Sequence, residues 1–592
     1  MRKILLGRER STKLPVHIPM AAFPTHFHMI GSTGKGKTTA IHRMLHEMLL
    51  DAGRTECHIL FDRLGGISHD LLLWMASEFC TEDVRRRLIY IEPSREDVIL
   101  GFNPLTFDTQ SHGFYKVARA TDIILRAWAS QNIEEMPRLA RWTFNSFWAA
   151  AQLGLTVADC VHFLMPGSPY HARLLDCLPP RLKYEWQEIM GARSGEAARI
   201  LESTRNRLKP YFESDILRRM FGSTTNRLDI VRFMREGKIV VLNLASGNRL
   251  SEQLSDALGG LMLNEVLTTA RSRPTDGGHP TYLWLDEFQR FVGPDIEAAI
   301  PEMRQLGVRL ILSHQSFSQL KRGDLDLTSL IFQAQSRMMF GVQGEDADLL
   351  AHEIATLKYD ARKVKEEIWH RKQLTTGHKI IELASRSTTE TLTKNWNETF
   401  GRGWSRKEST TLSPDDRSPT RGEGTSRDEK EGRGHGEGTS QGGTVGSHET
   451  LVPIQEEYSE LSSRSYETFD EQKTEWAKKV RKQKTGSAIL GLVDDGTLYE
   501  VDVKRDAPGH LGFGMKVLRE QFPEALEAVE RLKEENFRSD LFVSPAVIDA
   551  ETERRLEAVL RPAITIQSSP ERLTALPECK GEGEGKGENP LA

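Results

Sequence analysis

Residues 28–39, His28-Met29-Ile30-Gly31-Ser32-Thr33-Gly34-Lys35-Gly36-Lys37-Thr38-Thr39, constrain this chain more than any other stretch. Gly31 and Gly36 are separated by four residues and followed by Lys37 and Thr38, the spacing of a phosphate-binding loop. Backbone N–H groups of such a loop wrap a phosphate, and glycine supplies the dihedral angles that aim them inward. Lys37 is placed to reach the β- and γ-phosphates, and the Thr38 hydroxyl to ligate Mg²⁺. The nucleotide contacts expected on this basis are Gly31, Ser32, Thr33, Gly34, Lys35, Gly36, Lys37, Thr38 and Thr39. The flanks agree. Phe27–Ile30 is a short apolar run before the loop. Thr39–Leu50 places Ile41, Leu45 and Met48/Leu49 on one helical face after it. A helix N-terminus there adds positive potential for a bound anion.

At 592 residues the chain exceeds one domain, and two to four are expected. The net charge of −5 gives no global basic field, although a local basic surface remains open. Five scattered cysteines without CxxC spacing exclude a disulfide framework or a zinc site and suit a reducing cytosol. His26 and His28 read as strand residues rather than metal ligands. No run of 18 apolar residues occurs, and Leu14–Ile30 is interrupted by prolines and histidines, so no signal peptide or membrane span is expected. The reading is a soluble, cytoplasmic protein.

Along the chain, residues 1–25 read as an extended lead-in. His58–Asp62 is an apolar run ending in an acid; a helix near Asp70–Glu78 and a strand at Leu88–Ile91 follow. Strands alternating with helices imply a parallel sheet covered on both faces. From 112 to 225 the period becomes helical. Tyr115–Ala129, Pro137–Leu153, Leu155–Met165, Tyr170–Cys177, Pro180–Met190 and Ala197–Phe212 read as helices, with Trp142, Phe147 and Trp148 as core rather than a ligand cage. The α/β pattern resumes at Lys238–Leu244.

Tyr282-Leu283-Trp284-Leu285-Asp286-Glu287-Phe288 then fits a buried strand presenting carboxylates at its C-terminal edge, where ligands bind in open α/β sheets. Asp286 would hold Mg²⁺, directly or through water, and Glu287 would orient the attacking water. Val308–Gln315 is another buried strand with a polar end. There Gln315 would hydrogen-bond the γ-phosphate or the attacking water; a plain strand cap is the alternative. Gln335–Phe340 is one more strand and carries Arg337.

Residues 401–447 are rich in Gly, Ser, Thr, Arg and Glu and nearly lack aliphatic side chains. Such a segment cannot bury enough apolar surface to offset its ordering entropy, so a flexible linker is expected. Ser487–Val493 and Thr497–Lys504 around Asp494-Asp495-Gly496 give a hairpin signal, with helices after it.

Taken together, the phosphate loop, the Asp-Glu strand, the Glu-x-Arg helix (Glu302–Arg304) and the Ser-His-Gln strand, with helices inserted between the first two, resemble the HerA/FtsK superfamily of RecA-like ATPases. Within it the chain is similar to conjugative coupling proteins of the TraD/TraG class, the DNA-binding ATPases of type IV secretion. Phe102-Asn103-Pro104-Leu105, Asn206–Gly222 and Gly237–Leu244 add to the likeness, which covers roughly 25–385. The resemblance implies an α/β, RecA-like P-loop NTPase that binds ATP and Mg²⁺. Lys37 and Thr38 would take the Walker A roles, Asp286 and Glu287 the Walker B roles, and Gln315 the sensor role. Arg304 would be the finger reaching a neighbour's nucleotide, with Arg337 the runner-up.

The implied organisation is a discontinuous ATPase domain (1–111 and 226–385), an inserted all-α domain (112–225), and a linker (386–482) largely disordered at 401–447. A small α+β C-terminal module (483–580) and a disordered tail (581–592) complete it. The implied partners are DNA, further copies of the chain in a hexameric ring, and a secretion-channel, relaxase or nuclease protein. Membrane docking, without the N-terminal membrane helices of membrane-bound relatives, would come through a partner at the inner membrane. A protein-secreting ATPase and a nucleotide-gated scaffold are the competing readings.

Overall fold

The computed structural model describes residues 2–50, 55–107, 109–128, 136–245, 249–272, 279–291, 302–322, 325–390, 397–411, 420–434, 441–492 and 497–560. They form two units, 1–359 with 469–592, and 360–468. The expected Asp494-Asp495-Gly496 turn, the tail 581–592 and parts of the expected linker lie outside the described residues.

The first unit is built on one sheet. Its strands are β1 (Lys3–Glu9), β2 (Pro15–Pro19), β3 (Phe27–Ile30), β4 (Cys57–Asp62), β5 (Leu88–Ile91), β7 (Ile239–Asn243), β8 (Thr281–Asp286), β9 (Val308–His314), β12 (Ser336–Met339), β17 (Ser487–Gly491) and β18 (Leu498–Val503). Short pairs lie outside it: β6 (Ile99–Leu100) with β19 (Phe542–Val543), and β10 (Lys321–Arg322) with β11 (Leu325–Asp326). The sheet order is β2-β1-β18-β17-β12-β3-β9-β8-β4-β7-β5. From β12 to β5 every neighbour is parallel; from β12 to β2 every neighbour is antiparallel. The parallel strands β3, β4 and β8 are buried at every position, as expected where helices cover both faces.

This is the mixed α/β architecture with a parallel sheet expected from the sequence. The strand carrying the phosphate loop, β3, is separated from the Asp-Glu strand, β8, by β9 alone. Helix α1 (Lys37–Leu49) starts directly from the loop and buries Ile41, Leu45, Met48 and Leu49. Helix α2 (Gly66–Met75) follows β4, and its apolar residues Ile67, Leu71, Leu72 and Trp74 are buried.

Between β6 and β7 the chain is helical, with the longest helices at Gln110–Trp128, Pro137–Gln152 and Ser194–Glu213. Trp142 and Phe147 are buried, and Trp142 packs on Trp186 with ring centroids 5.2 Å apart. The expected helix Pro180–Met190 is two helices, Pro180–Glu185 and Gln187–Gly191, broken at Trp186. The break turns Trp186 into the aromatic core, which a straight amphipathic helix over the same residues would not do.

Two other expectations are corrected. Residues 1–25 are not a bare lead-in, since β1 and β2 pair antiparallel and join the sheet. The C-terminal hairpin does not stand in a separate module. β17 pairs with β12 and β18 with β1, so the chain's two ends complete one sheet. β12 would otherwise present an unpaired edge beside β3, and the hairpin covers it.

In the second unit, 360–468, β13 (Val364–Glu390) pairs antiparallel with β16 (Gln441–Tyr466), and β14 (Asn397–Thr411) with β15 (Thr420–Gly434). None of the described side chains of β13 and β16 is buried. The absence of buried side chains agrees with the composition of the expected linker, which offers no core of its own, and the two-stranded ladders satisfy backbone groups without one.

Asp506, just after β18, ties the C-terminal segment to α1. It accepts from Arg43 and, at 2.9 Å, pairs with His46 Nδ1. Burial pushes the Asp506 carboxyl up, but hydrogen bonds and charge from His46 and Arg43 outweigh it and hold the group below its ordinary range. A carboxyl depressed by folding adds stability above its unfolded pKa of ~3.9 and loses it as pH falls through the folded value. Asp506→Asn should therefore cost about 3 kcal/mol at pH 7, the scale for a buried pair that loses one partner. The difference from the parent chain should fade below about pH 4, as urea unfolding at pH 7 and pH 3 would show.

Candidate nucleotide site

Because β3, β4, β8 and β9 are parallel, their C-terminal residues lie along one edge of the sheet. Asp286 is in register with Ser313, and Ile30 with His314. The phosphate loop leaves that edge after Ile30. Gly36 has φ +112°, a conformation that a side chain would strain, and it caps α1. Lys37, the first residue of α1, is buried and its ammonium donates to the Gly31 carbonyl. Burial pushes the Lys37 pKa down, while the charges of Glu287 and Asp286 pull it back up. The three predicted residues therefore share one electrostatic environment. Thr38 and Thr33 are exposed, and Ser32 is half-buried.

Asp286 accepts from Ser313 Oγ at 2.9 Å. Its carboxyl is pushed up to about 7, first by burial and then by the charges of Asp62 and Glu287. Asp62 ends β4 and accepts the N–H groups of Leu64, Gly65 and Ser68, which turns the chain into α2. Crowded acids beside a single lysine suit a divalent cation, which relieves their repulsion. The Thr38 hydroxyl and the Asp286 carboxylate are oxygen donors of the kind Mg²⁺ takes.

Glu287 follows β8 in the left-handed region at φ +52°. Two amides hold its carboxylate. Gln315 Nε2 donates to Oε1 and Gln289 Nε2 to Oε2, both at 2.7 Å. Gln315 Oε1 in turn accepts from Thr33 Oγ1 at 2.7 Å, and Gln289 also donates to Gln319 Oε1 at 3.0 Å. A continuous chain of hydrogen bonds therefore runs from the phosphate loop through Gln315 to Glu287.

The two histidine positions are structural. His28 and His314 lie on adjacent strands with Nε2 atoms 2.7 Å apart and rings stacked. Burial drives His314 down to about 3 and His28 well below its ordinary range. Both are neutral at pH 7, one ring nitrogen donating and the other accepting. His26 Nδ1 accepts the Leu310 N–H.

The two candidate arginines differ sharply. Arg304 is exposed, at the helical turn 302–305, and its side chain makes no hydrogen bond or ion pair among the described residues. Arg337, on β12, lies over the Phe332 ring at 4.7 Å and pairs with Glu353 at 3.7 Å. Its side chain is only 13% exposed.

Sequence reasoning missed Gln289, Gln319 and Ser313. Gln289 stands two residues after Glu287 and Ser313 two before Gln315. That proximity to the acidic pair was the available signal, but which oxygen each amide reaches is a matter of side-chain geometry. Among the described residues no single helix is long and apolar enough to cross a membrane.

Residues 280–394 match a protein family described as the TraM recognition site of TraD and TraG. That span contains Asp286, Glu287, Arg304, Gln315 and Arg337. Among solved structures, the chain is similar to the bacterial conjugative coupling protein TrwBdeltaN70 in an unbound form. The identity is 14% over 86% of this chain and 93% of that one, with a TM-score of 0.47. A second match is the plasmid coupling protein TrwB in complex with ADP and Mg²⁺, at 14% identity, 86% and 95% coverage and a TM-score of 0.48. No curated protein sequence matches the chain.

The clamp on Glu287 yields a stability test. Gln289→Leu leaves Oε2 of a buried carboxylate without this donor, and about 1–3 kcal/mol should be lost. Thermal unfolding of the ligand-free chain reads this directly. An unchanged midpoint would mean that Glu287 is held adequately by Gln315 alone.

Proposed function

We propose that this chain acts as a coupling protein of the TraD/TraG class: an ATP-hydrolysing motor that moves DNA through a ring of its own copies. The carrying observation is the single hydrogen-bonded cluster in which Thr33, Gln315 and Glu287 connect the phosphate loop to the acidic end of β8. A nucleotide scaffold has no need of a carboxylate held at the loop by two amides. A hydrolase does, since the group that orients the attacking water must be fixed before the reaction.

In this reading the backbone N–H groups of 31–39 and the Lys37 ammonium bind the phosphates. Thr38 and Asp286 hold Mg²⁺, which when bound neutralises charge on the β- and γ-phosphates. Glu287 orients the water and takes up its proton. Gln315 keeps the Glu287 carboxylate in place and, through Thr33, registers the state of the loop. Arg304 serves as the finger to a neighbouring subunit's nucleotide. It is exposed and without a side-chain partner among the described residues, whereas Arg337 is committed to Phe332 and Glu353 inside its own unit. The likeness of 280–394 to the TraM recognition site of TraD and TraG supports a TraM-like protein as a partner. DNA contacts are expected to be mostly to phosphate, so stimulation should weaken with salt and show little sequence preference.

Two measurements test this. ATP turnover should rise with added DNA. Lys37→Ala should abolish it with the fold intact, and Glu287→Gln should bind ATP–Mg²⁺ yet hydrolyse it at least 100-fold more slowly, on the order of losses seen when catalytic groups are removed. Turnover retained in Lys37→Ala would place the chemistry elsewhere, and turnover indifferent to DNA would remove the motor.

The second measurement addresses the ring. Arg304→Ala alone should be inactive, the scale for arginine fingers being roughly 10³–10⁵. Mixed with Lys37→Ala subunits it should regain part of its activity, because some interfaces then pair an intact loop with an intact arginine. Full activity of Arg304→Ala on its own would exclude that residue as the finger.

A further inference from the structure

The phosphate loop is not held by β3 and α1 alone. From the far end of the sequence, residues 482–486 lie against its outer side. The Gly486 N–H donates to the Lys35 carbonyl at 2.9 Å, and the Lys35 ammonium donates to the Gln483 carbonyl at 3.3 Å. Contact is close enough that a Cβ on Gly36 would meet the Gly486 Cα and N at 3.0 Å.

The consequence follows from peptide geometry. A trans peptide is planar, so the carbonyl of Lys35 and the N–H of Gly36 point in opposite directions. With the carbonyl engaged outward by Gly486, the Gly36 N–H is turned toward the inner side of the loop, where backbone amides gather around an anion. One hydrogen bond from the C-terminal segment thereby fixes the direction of a phosphate-binding donor more than 400 residues away in sequence.

The segment is well placed to do this. Before it, the helix Phe469–Arg481 is pinned where Arg481 pairs with Asp348 at 2.6 Å and its carbonyl accepts from Gln343 at 3.2 Å. After it, Ile489 and Leu490 of β17 are buried in the core. Gly486 itself has φ +79°, and a Cβ there would meet nothing within 4 Å. Its constraint is therefore conformational, not steric: only residues that tolerate the left-handed region can present the N–H in this direction.

We propose that residues 482–486 are a positioning element of the nucleotide site, with Gly486 orienting the Lys35–Gly36 peptide for phosphate binding. This rests on the reading of the loop as a nucleotide site.

The test is titration of the full-length chain with a fluorescent ATP analogue and Mg²⁺, with melting temperature recorded for each variant. Gly486→Val should raise Kd about tenfold or more, since a β-branched residue disfavours positive φ. Gly486→Asn, which visits the left-handed region, should lose less than about threefold. Leu490→Ala weakens the strand that follows and should lower the melting temperature while leaving Kd within about twofold of the parent, because it creates a core cavity without touching the loop. If Gly486→Val fails to fold, Gly486→Ala is read the same way, with a smaller rise. Binding by Gly486→Val equal to the parent's overturns the proposal. So does a loss that tracks melting temperature equally across all three variants. Lys37→Ala distinguishes the two levels: if it too binds like the parent chain, the nucleotide reading itself falls.

Discussion

The architecture depends on strand direction. β3, β9, β8 and β4 run parallel, so the residues that follow them emerge at one edge of the sheet. Placing β9 between β3 and β8 sets the polar end of β9 between the phosphate loop and the acidic pair. Ser313 can then reach Asp286 while Gln315, two residues on, reaches Glu287 and Thr33. An antiparallel β9 would send these side chains to the opposite edge, and no choice of residues would restore the contacts.

That edge concentrates unfavourable terms. Asp62, Asp286 and Glu287 are all buried, with Lys37 close by. Glu287 adds a left-handed backbone at φ +52°, a conformation that costs on the order of 1–3 kcal/mol for a residue with a side chain. The surrounding sheet must hold these groups against their repulsion and strain. The buried apolar strands do that, and hydrogen bonds from Ser313, Gln289 and Gln315 hold the Asp286 and Glu287 carboxylates in place. Such arrangements of strain and like charge are characteristic of sites that bind or transform a charged ligand.

The chain's two ends close the sheet beside this site. The N-terminal pair β1 and β2 and the C-terminal pair β17 and β18 extend the sheet beyond β12, so the parallel strands nearest the phosphate loop are never at an open edge. The Asp506 contacts to Arg43 and His46 within α1 and the Gly486 contact to Lys35 just before it tie the C-terminal segment to the loop and its helix.

The sequence alone determined the local chemistry. The loop 31–39 was legible because its glycines, Lys37 and Thr38 stand at a fixed spacing before a helix. The strand ending in Asp286-Glu287 and the strand ending in Gln315 were legible because buried parallel strands are apolar throughout and polar only where they stop. The helical stretch after β6 was legible from its period. Tertiary structure decided what meets what. It engaged Arg337 and left Arg304 exposed. It put Gln289 on Glu287, folded the first 25 residues into the sheet, and inserted the C-terminal hairpin beside β12. It also laddered a segment whose composition offers no core. The physical reason is range. Periodicity and motifs express interactions within a few residues, whereas strand pairing is set by which backbone edge remains open and by directions that only the assembled sheet defines.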